Sequence, residues 1–287
     1  MFMGEGRGGS GILSNEARMR TVSRVFAVDW SGDRKAARRK IWLCEVAGGE
    51  VRRLENGRTR DEVAACLIDE ATRDSNFAVG FDFAFSFPAA FLEKRAHHRI
   101  ETVWGEASLL GEAWLEHCPF PFWGKPGKKK PLLGSTLMRR TEIAVAEESG
   151  LAPMSVFQIG GAGAVGVGSL RGMPVIQRLR EAGFSIWPFD VPSTPLVVEI
   201  WPRLFMGTVK KSSRQERRLF LRRRYPTLDS ESRRAAEDSD DAFDALVAAL
   251  EMSRHREEFT RLEQLAESPC CLEGEIWHPR QEVSRLD

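Results

Sequence analysis

The stretch Val25-Phe26-Ala27-Val28-Asp29-Trp30-Ser31-Gly32 decides the fold. Four apolar residues run into one carboxylate, and a small polar turn follows. A short continuous apolar run, rich in β-branched and aromatic residues, reads as a strand buried on both faces. Asp29 then sits at the strand's inner end. An ionised carboxylate there is costly unless a cation or good donors meet it. Something elsewhere in the chain must therefore pair with Asp29.

The chain has 287 residues, enough for one large or two modest domains. Its 42% hydrophobic and 29% charged residues place it among globular rather than disordered chains. Lys plus Arg number 42 against 41 Asp plus Glu, so the total charge gives no steer toward nucleic acid. No apolar run approaches the length of a membrane span. Residues 1–23 are rich in Gly, Ser and Arg and lack the apolar centre of a secretory signal. They read as a disordered leader, with Met19 as a candidate start, ahead of one domain over 24–287. The five cysteines (Cys44, Cys66, Cys118, Cys270 and Cys271) form no CxxC pair and are odd in number. Free thiols and a cytoplasmic location are the expectation.

Outward from the first strand, 40–46 (KIWLCEV) reads as a second strand and 51–54 as a third, joined at Gly48-Gly49 into a hairpin. Thr59 and Glu62 match a capping box, and Val63, Ala64, Leu67, Ile68 and Ala71 mark one face of the helix that follows. The segment 77–85 (FAVGFDFAF) is the next buried strand and carries Asp82. A long mixed insertion covers 88–195. Helices are expected at 106–117, 137–148 and 171–182, an exposed loop at 119–131, a Gly-rich segment at 160–168 and a further strand at 184–189. Then 196–201 (LVVEIW) forms a strong strand carrying Glu199, and 212–224 a basic helix. The clearest helix is 239–254, where Phe243, Leu246, Val247 and Leu250 make an apolar stripe. Asp240 and Asp244 flank that stripe, and Asp241 lies further round. No internal repeat is visible.

Three strands each bury a single acid, Asp29, Asp82 and Glu199, and one late helix presents three more. Buried acids repel unless something neutralises them. A divalent cation held by several carboxylates is the economical solution, and Mg²⁺ or Mn²⁺ suits oxygen ligands. Two such ions about 4 Å apart would activate a water and stabilise the leaving oxygen of a phosphoryl transfer. Neither His nor Cys is needed for that chemistry. The plainer alternative is that each strand-end acid caps a helix or pairs with one of the many arginines.

Strand–strand–strand–helix–strand, followed by helix, strand and acidic helix, is the ribonuclease-H-like order. Members carry acids on the first strand, the fourth strand and the last helix. Here those positions match Asp29 in AVDWSG, Asp82 in VGFDFAFS, and Asp241 with Asp244 in DDAFDAL. The last pair resembles the acidic pair of Holliday-junction resolvases. More closely, AVDWSG, GFDFAFSFP, EIWPR and DDAFDALVAAL resemble the family called domain of unknown function 429, whose members are predicted nucleases of this fold. The resemblance runs roughly over 25–253.

Gly161-Ala162-Gly163-Ala164-Val165-Gly166 fits the G-x-G-x-x-G dinucleotide fingerprint, with Glu181 at a suitable distance. That fingerprint needs a helix beginning inside it, and Gly168, Gly172 and Pro174 are expected to break one. A turned loop near the acids is the expectation, and no dinucleotide cofactor. Lys125 to Lys130 adjoin Phe122 and Trp123, and a second basic run spans Arg203 to Arg224. Cations beside aromatics suit a nucleic-acid strand, although each run alone also fits a solvated surface. His97, His98, His117 and Cys118 fit no zinc pattern, and no GxSxG, HExxH or P-loop is present.

The sequence thus predicts an α/β protein, a ribonuclease-H-like mixed sheet flanked by helices, with 88–195 inserted between the fourth and fifth strands as a covering subdomain. The predicted function is a metal-dependent nuclease using Mg²⁺ or Mn²⁺ in a two-metal mechanism on nucleic acid. Asp29 and Asp82 are the expected central ligands, completed by Asp244 and Asp241, with Glu199 as orienter or extra ligand. Lys128, Lys129, Lys130, Arg139 and Arg140 are expected to hold substrate phosphates, and no membrane partner is foreseen. Two alternatives remain open. One is an ATP-binding phosphotransferase of the actin and sugar-kinase type, against which stands the single copy of the core. The other is a non-catalytic nucleic-acid-binding module whose acids are held by Arg pairs.

Overall fold

The computed structural model describes residues 19–265 and 270–279. Its seven strands are β1 (Arg24–Asp29), β2 (Trp42–Ala47), β3 (Glu50–Glu55), β4 (Phe77–Phe81), β5 (Ser185–Ile186), β6 (Leu196–Ile200) and β7 (Ile276–Trp277). They form one mixed sheet in the order β3-β2-β1-β4-β6-β5, with β7 also on β6. β2 runs antiparallel to β1 and β3, while β4, β5, β6 and β7 join by parallel pairing. Gly48 (φ +62°) and Gly49 (φ +81°) make the β2–β3 turn. A two-residue hairpin loop of this kind needs positive φ at both positions, which glycine supplies without strain.

Helices flank both faces. In chain order they are α1 (Ala37–Lys40), α2 (Arg60–Arg73), α3 (Ala89–Lys94), α4 (Ile100–His117), α5 (Arg140–Ser149) and α6 (Val165–Glu181). They continue as α7 (Arg203–Met206), α8 (Arg214–Arg224), α9 (Ser230–Asp238), α10 (Asp240–Arg254) and α11 (Cys270–Glu273). Alternation along the strands divides the core. Phe26, Val28, Phe77, Val79 and Phe81 face α2, α4 and α6. Val25, Ala27, Ala78, Leu196 and Val198 face α10. Among the described residues no helix is long and apolar enough to cross a membrane.

The segment 88–195 holds α3 to α6 and β5, and it has no core of its own. Trp104, Trp114, Phe122, Phe157, Leu170 and Ile176 pack in the same cluster as Phe26 and Val28. Together with α2 it therefore builds one side of the protein instead of merely covering it. Because Ser185–Ile186 joins the sheet, the Glu199 strand is the sixth in chain order.

Three expectations change, and two elements were not foreseen. The chain is anchored to the fold before residue 24: Val22 is buried and Ser23 Oγ donates to the Asn76 carbonyl at 2.8 Å. The leader expected over 1–18 lies outside the described residues. The strand expected over 77–85 stops at Phe81, after which the Ala84 N–H donates to Ser169 Oγ and the Phe85 N–H to the Glu199 carboxylate. Side chains, not a neighbouring strand, satisfy those donors. The helix expected at 171 begins at Val165 and runs through Gly166, Gly168, Gly172 and Pro174. Close packing outweighs helix propensity there: a Cβ on Gly166 would lie 2.1 Å from the Val156 carbonyl oxygen, and one on Gly172 would lie 2.4 Å from the Phe83 ring. Finally, α9 and β7 had no clear signature, because one is short and polar and the other is two residues long.

The turn after β1 is clamped by α6. Trp30 Nε1 donates to the Gly168 carbonyl at 3.1 Å, and the Arg171 guanidinium to that of Gly32. A Cβ on Gly32 would lie 2.4 Å from the Val167 carbonyl carbon. Gly32→Ala must push backbone from backbone, and a loss of about 2–3 kcal/mol is expected in urea unfolding; unchanged stability would contradict this packing.

Candidate metal centre

Strand parity sets the site. In β1 Val25 and Ala27 face α10, so Asp29, two residues on, faces it too. In β4 Ala78 does the same, and Asp82 continues that alternation just past the strand end. β1 and β4 are parallel with Val28 opposite Phe81, and the Asp82 N–H donates to the Val28 carbonyl at 3.2 Å. The two carboxylates therefore leave the sheet side by side. The third comes from α10, whose start is fixed by the Ser239 side chain accepting from the Ala242 N–H. Asp244 lies just beyond the first turn, among the buried residues of that helix. Oxygens of Asp29, Asp82 and Asp244 all lie within 4.8 Å of one another.

Burial is severe. Asp29 is 7% exposed and Asp244 2%, while Asp82 is partly exposed. Lys211, on the loop between α7 and α8, donates from Nζ to Asp244 Oδ2. Asp244 Oδ1 is buried and has no hydrogen-bond partner among the described residues. Burial, then the charges of Asp244 and Asp82, push the Asp29 carboxyl well above the usual range. Burial, then Asp244, raises Asp82 to about 7. Burial raises Asp244 to about 6 against the pull of Lys211. Burial also opposes the Lys211 charge, yet the three acids together raise its pKa and keep the ammonium charged.

The orphaned Asp244 Oδ1 is the atom that tests whether a metal fits. A buried carboxylate oxygen without a donor costs roughly 1–3 kcal/mol or more, and a metal ion is one partner that would satisfy it. Three ionised carboxylates against one ammonium leave two negative charges, matching one divalent ion. All-oxygen donors suit Mg²⁺ or Mn²⁺ rather than a soft metal.

The remaining predicted residues are placed as follows. Asp241 lies one turn before Asp244, outside the triad, though its charge adds to the rise at Asp29. Glu199 points to the opposite face, because in β6 it alternates with Val198 and Ile200, which face α10. Its carboxylate accepts from both Arg139 terminal nitrogens and from the Phe85 N–H at 2.9 Å. Arg139 is 1% exposed and also donates to Glu142 and to the Glu273 carbonyl. Arg139 is thus a buried structural partner, not a phosphate ligand, and Glu199 is a support behind Asp82 instead of a member of the triad. Arg140 is exposed, and its N–H donates to Glu273. Lys128, Lys129 and Lys130 sit on an exposed loop, where Lys130 Nζ lies 5.6 Å from the centre of the Trp123 ring.

Lys211 is the site residue that the sequence did not single out. It is one of two adjacent lysines in a basic run, and nothing in its spacing separates it from neighbours that face water. The G-x-G-x-x-G segment does start a helix at Val165, contrary to expectation. What precedes it is an isolated bridge between Trp123 and Gln158, not a strand of the sheet, and the Gly166 N–H is taken by the Gln158 carbonyl at 3.0 Å. His97 bonds Thr102 and Glu106, so its ring is used without a metal.

No family model matches this chain, and no curated protein or solved structure was found to be similar to it.

The raised carboxyls give a signed pH dependence. A carboxyl whose folded pKa exceeds its unfolded value stabilises the fold below the unfolded pKa, near 4, and loses that contribution as pH rises through the folded value. In chelator, the urea midpoint should therefore fall between pH 5 and pH 8, and fall less in Asp29→Asn. Carboxyls with lowered pKa, such as Glu101 at about 2, complete their titration below this window. A midpoint that is flat or rises over the window would contradict the repulsion assigned to the triad.

Proposed function

We propose that this protein is a metal-dependent phosphodiesterase acting on nucleic acid, built on a ribonuclease-H-like core. The observation that carries the reading is the convergence of Asp29, Asp82 and Asp244 within 4.8 Å, with Asp244 Oδ1 left without a partner. Supporting it are the strand order, with β1 between β2 and β4 and the acids at the carboxyl ends of β1 and β4, and the resemblance of AVDWSG, GFDFAFSFP and DDAFDALVAAL to predicted nucleases. Open parallel sheets place ligands at the carboxyl ends of their strands.

Asp29, Asp82 and Asp244 would hold Mg²⁺ or Mn²⁺, one ion matching the charge of the triad and a second accompanying the phosphodiester. When bound, the metal supplies a nucleophilic water and stabilises charge on the phosphate and leaving oxygens. The chain's own part is to hold the ligands in fixed positions. Asp29 and Asp82 are fixed by the β1–β4 pairing, and Asp244 by the packed α10. Lys211 Nζ, on a side chain 44% exposed, lies where a phosphate oxygen arriving at the triad could accept its hydrogen bond. The phosphotransferase alternative would use the turn Asp29-Trp30-Ser31-Gly32 for phosphates, and that turn is packed against α6 through Trp30 and Gly32.

A non-catalytic module would need its acids neutralised by arginines. That is the case for Glu199, which has Arg139, but the triad has one lysine on one of its three members. This difference favours the metal reading. Calorimetry with Mn²⁺ and Mg²⁺ tests it: wild type is expected to bind, and Asp29→Asn to lose the site. Cleavage of a nucleic-acid substrate should fall on the order of 10²–10³-fold or more in Asp29→Asn, Asp82→Asn and Asp244→Asn. Absence of metal binding by the wild type would overturn the proposal.

A further inference from the structure

The basic residues of α8 and α9 are not a uniform solvated face. From Lys210 to Arg224 there are eight basic residues against the single acid Glu216. Two of the arginines are used internally. Arg217 is buried, donating to the Ala236 and Glu237 carbonyls of α9 and to the Lys211 carbonyl. Arg224 pairs with the buried Glu251. The others face outward. Arg214, Arg218 and Arg222 fall at i, i+4 and i+8 and so form one row along α8, about 6 Å apart per step. Arg214 has a surface pair with Asp238, whereas Arg218 and Arg222 are exposed with no acid partner among the described residues.

Opposite this row lies α9. Arg214, Arg218, Arg233 and Arg234 line a groove of about 530 Å³ between the two helices, in which Glu237 is the one acid. Arg233 Nη2 donates to the carbonyls of Tyr225, Pro226 and Leu228, while its Nη1 is buried without a hydrogen-bond partner. No aromatic side chain lines the groove, so it offers nothing for a base to stack on. Both walls lead to the triad. α8 begins three residues after Lys211, which Arg217 holds in place, and α9 ends at Asp238, next to the Ser239 cap of α10.

We propose that the α8–α9 groove is the track for the sugar–phosphate backbone of the nucleic-acid strand whose scissile phosphate lies at Asp29, Asp82 and Asp244. The proposal rests on the nuclease reading and moves the principal phosphate contacts from Lys128–Lys130 to Arg218 and Arg234 of the groove, with Arg222 one step further along the α8 row. Charge complementarity commits the groove to a polyphosphate ester. The lack of a stacking surface makes the contact indifferent to base sequence, and contact through phosphates alone makes it strongly salt-dependent.

The test is fluorescence anisotropy with a labelled single-stranded 20-mer, in chelator so that nothing is cleaved and no metal is required. Wild type is compared with Arg218→Gln/Arg222→Gln/Arg234→Gln and with Lys128→Gln/Lys129→Gln/Lys130→Gln. All six residues are exposed, so both variants should fold, and circular dichroism checks this. The arginine variant should bind at least about tenfold more weakly at 0.1 M salt, and its slope of log affinity against log salt should shrink by about 2. The lysine variant should change much less. The groove assignment is overturned if the arginine variant binds like wild type, if the lysine variant takes the larger loss, or if wild type fails to bind at low salt. It is also overturned if anionic lipid vesicles, and not the oligonucleotide, are bound in an arginine-dependent way. Failure of metal calorimetry alone would sink the nuclease reading while leaving the strand-binding result intact.

Discussion

Three carboxylates held within 4.8 Å of one another, two of them almost fully buried, repel each other in surroundings that screen poorly. The fold supplies one ammonium against them, from Lys211, and leaves Asp244 Oδ1 without a donor. A protein optimised only for stability would replace such a cluster with apolar side chains. Keeping it costs folding free energy, which the rest of the structure must offset. The sheet interior does so through continuous apolar strands, and α10 through a helix that is buried along most of its length.

A second buried ionic group has the opposite character. Glu199, Arg139 and Glu142 share one guanidinium, and every arm of it is used, with the Glu273 carbonyl taking the remainder. This network joins the sheet to α5 and to the segment before β7, and it anchors the Phe85 N–H three residues after Asp82. It is satisfied internally and needs no ligand. The contrast is between a cluster on one face whose hydrogen bonds are all made and a cluster on the other that leaves Asp244 Oδ1 without one among the described residues.

Much of this was legible in the sequence, for definite reasons. β1, the β2–β3 hairpin, the Thr59 capping box and α10 follow from short-range rules, and Thr59 and Glu62 do exchange both bonds of the box. Asp29, Asp82 and Asp244 could be named because acids interrupting apolar runs are conspicuous. Parity was also in the sequence, and applied to β6 it separates Glu199 from Asp29: Val198 and Ile200 share a face, so Glu199 takes the other. Contacts between distant segments were not legible. Gly172 reads as a helix breaker and Gly32 as part of a polar turn, but both are points of close approach, and Arg139 reads as a surface cation until Glu199 is seen beside it. Lys211 lacks any local signature, because its role arises only when the α7–α8 loop meets α10.

The central claim is that the triad is a metal site and not a residue of charge the fold merely tolerates. The most direct measurement is anomalous diffraction from crystals soaked in Mn²⁺. The account predicts a peak coordinated by oxygens of Asp29, Asp82 and Asp244, including the orphaned Asp244 Oδ1. A peak bound elsewhere, or an empty triad with Asp244 served by Lys211 alone at saturating Mn²⁺, would contradict it.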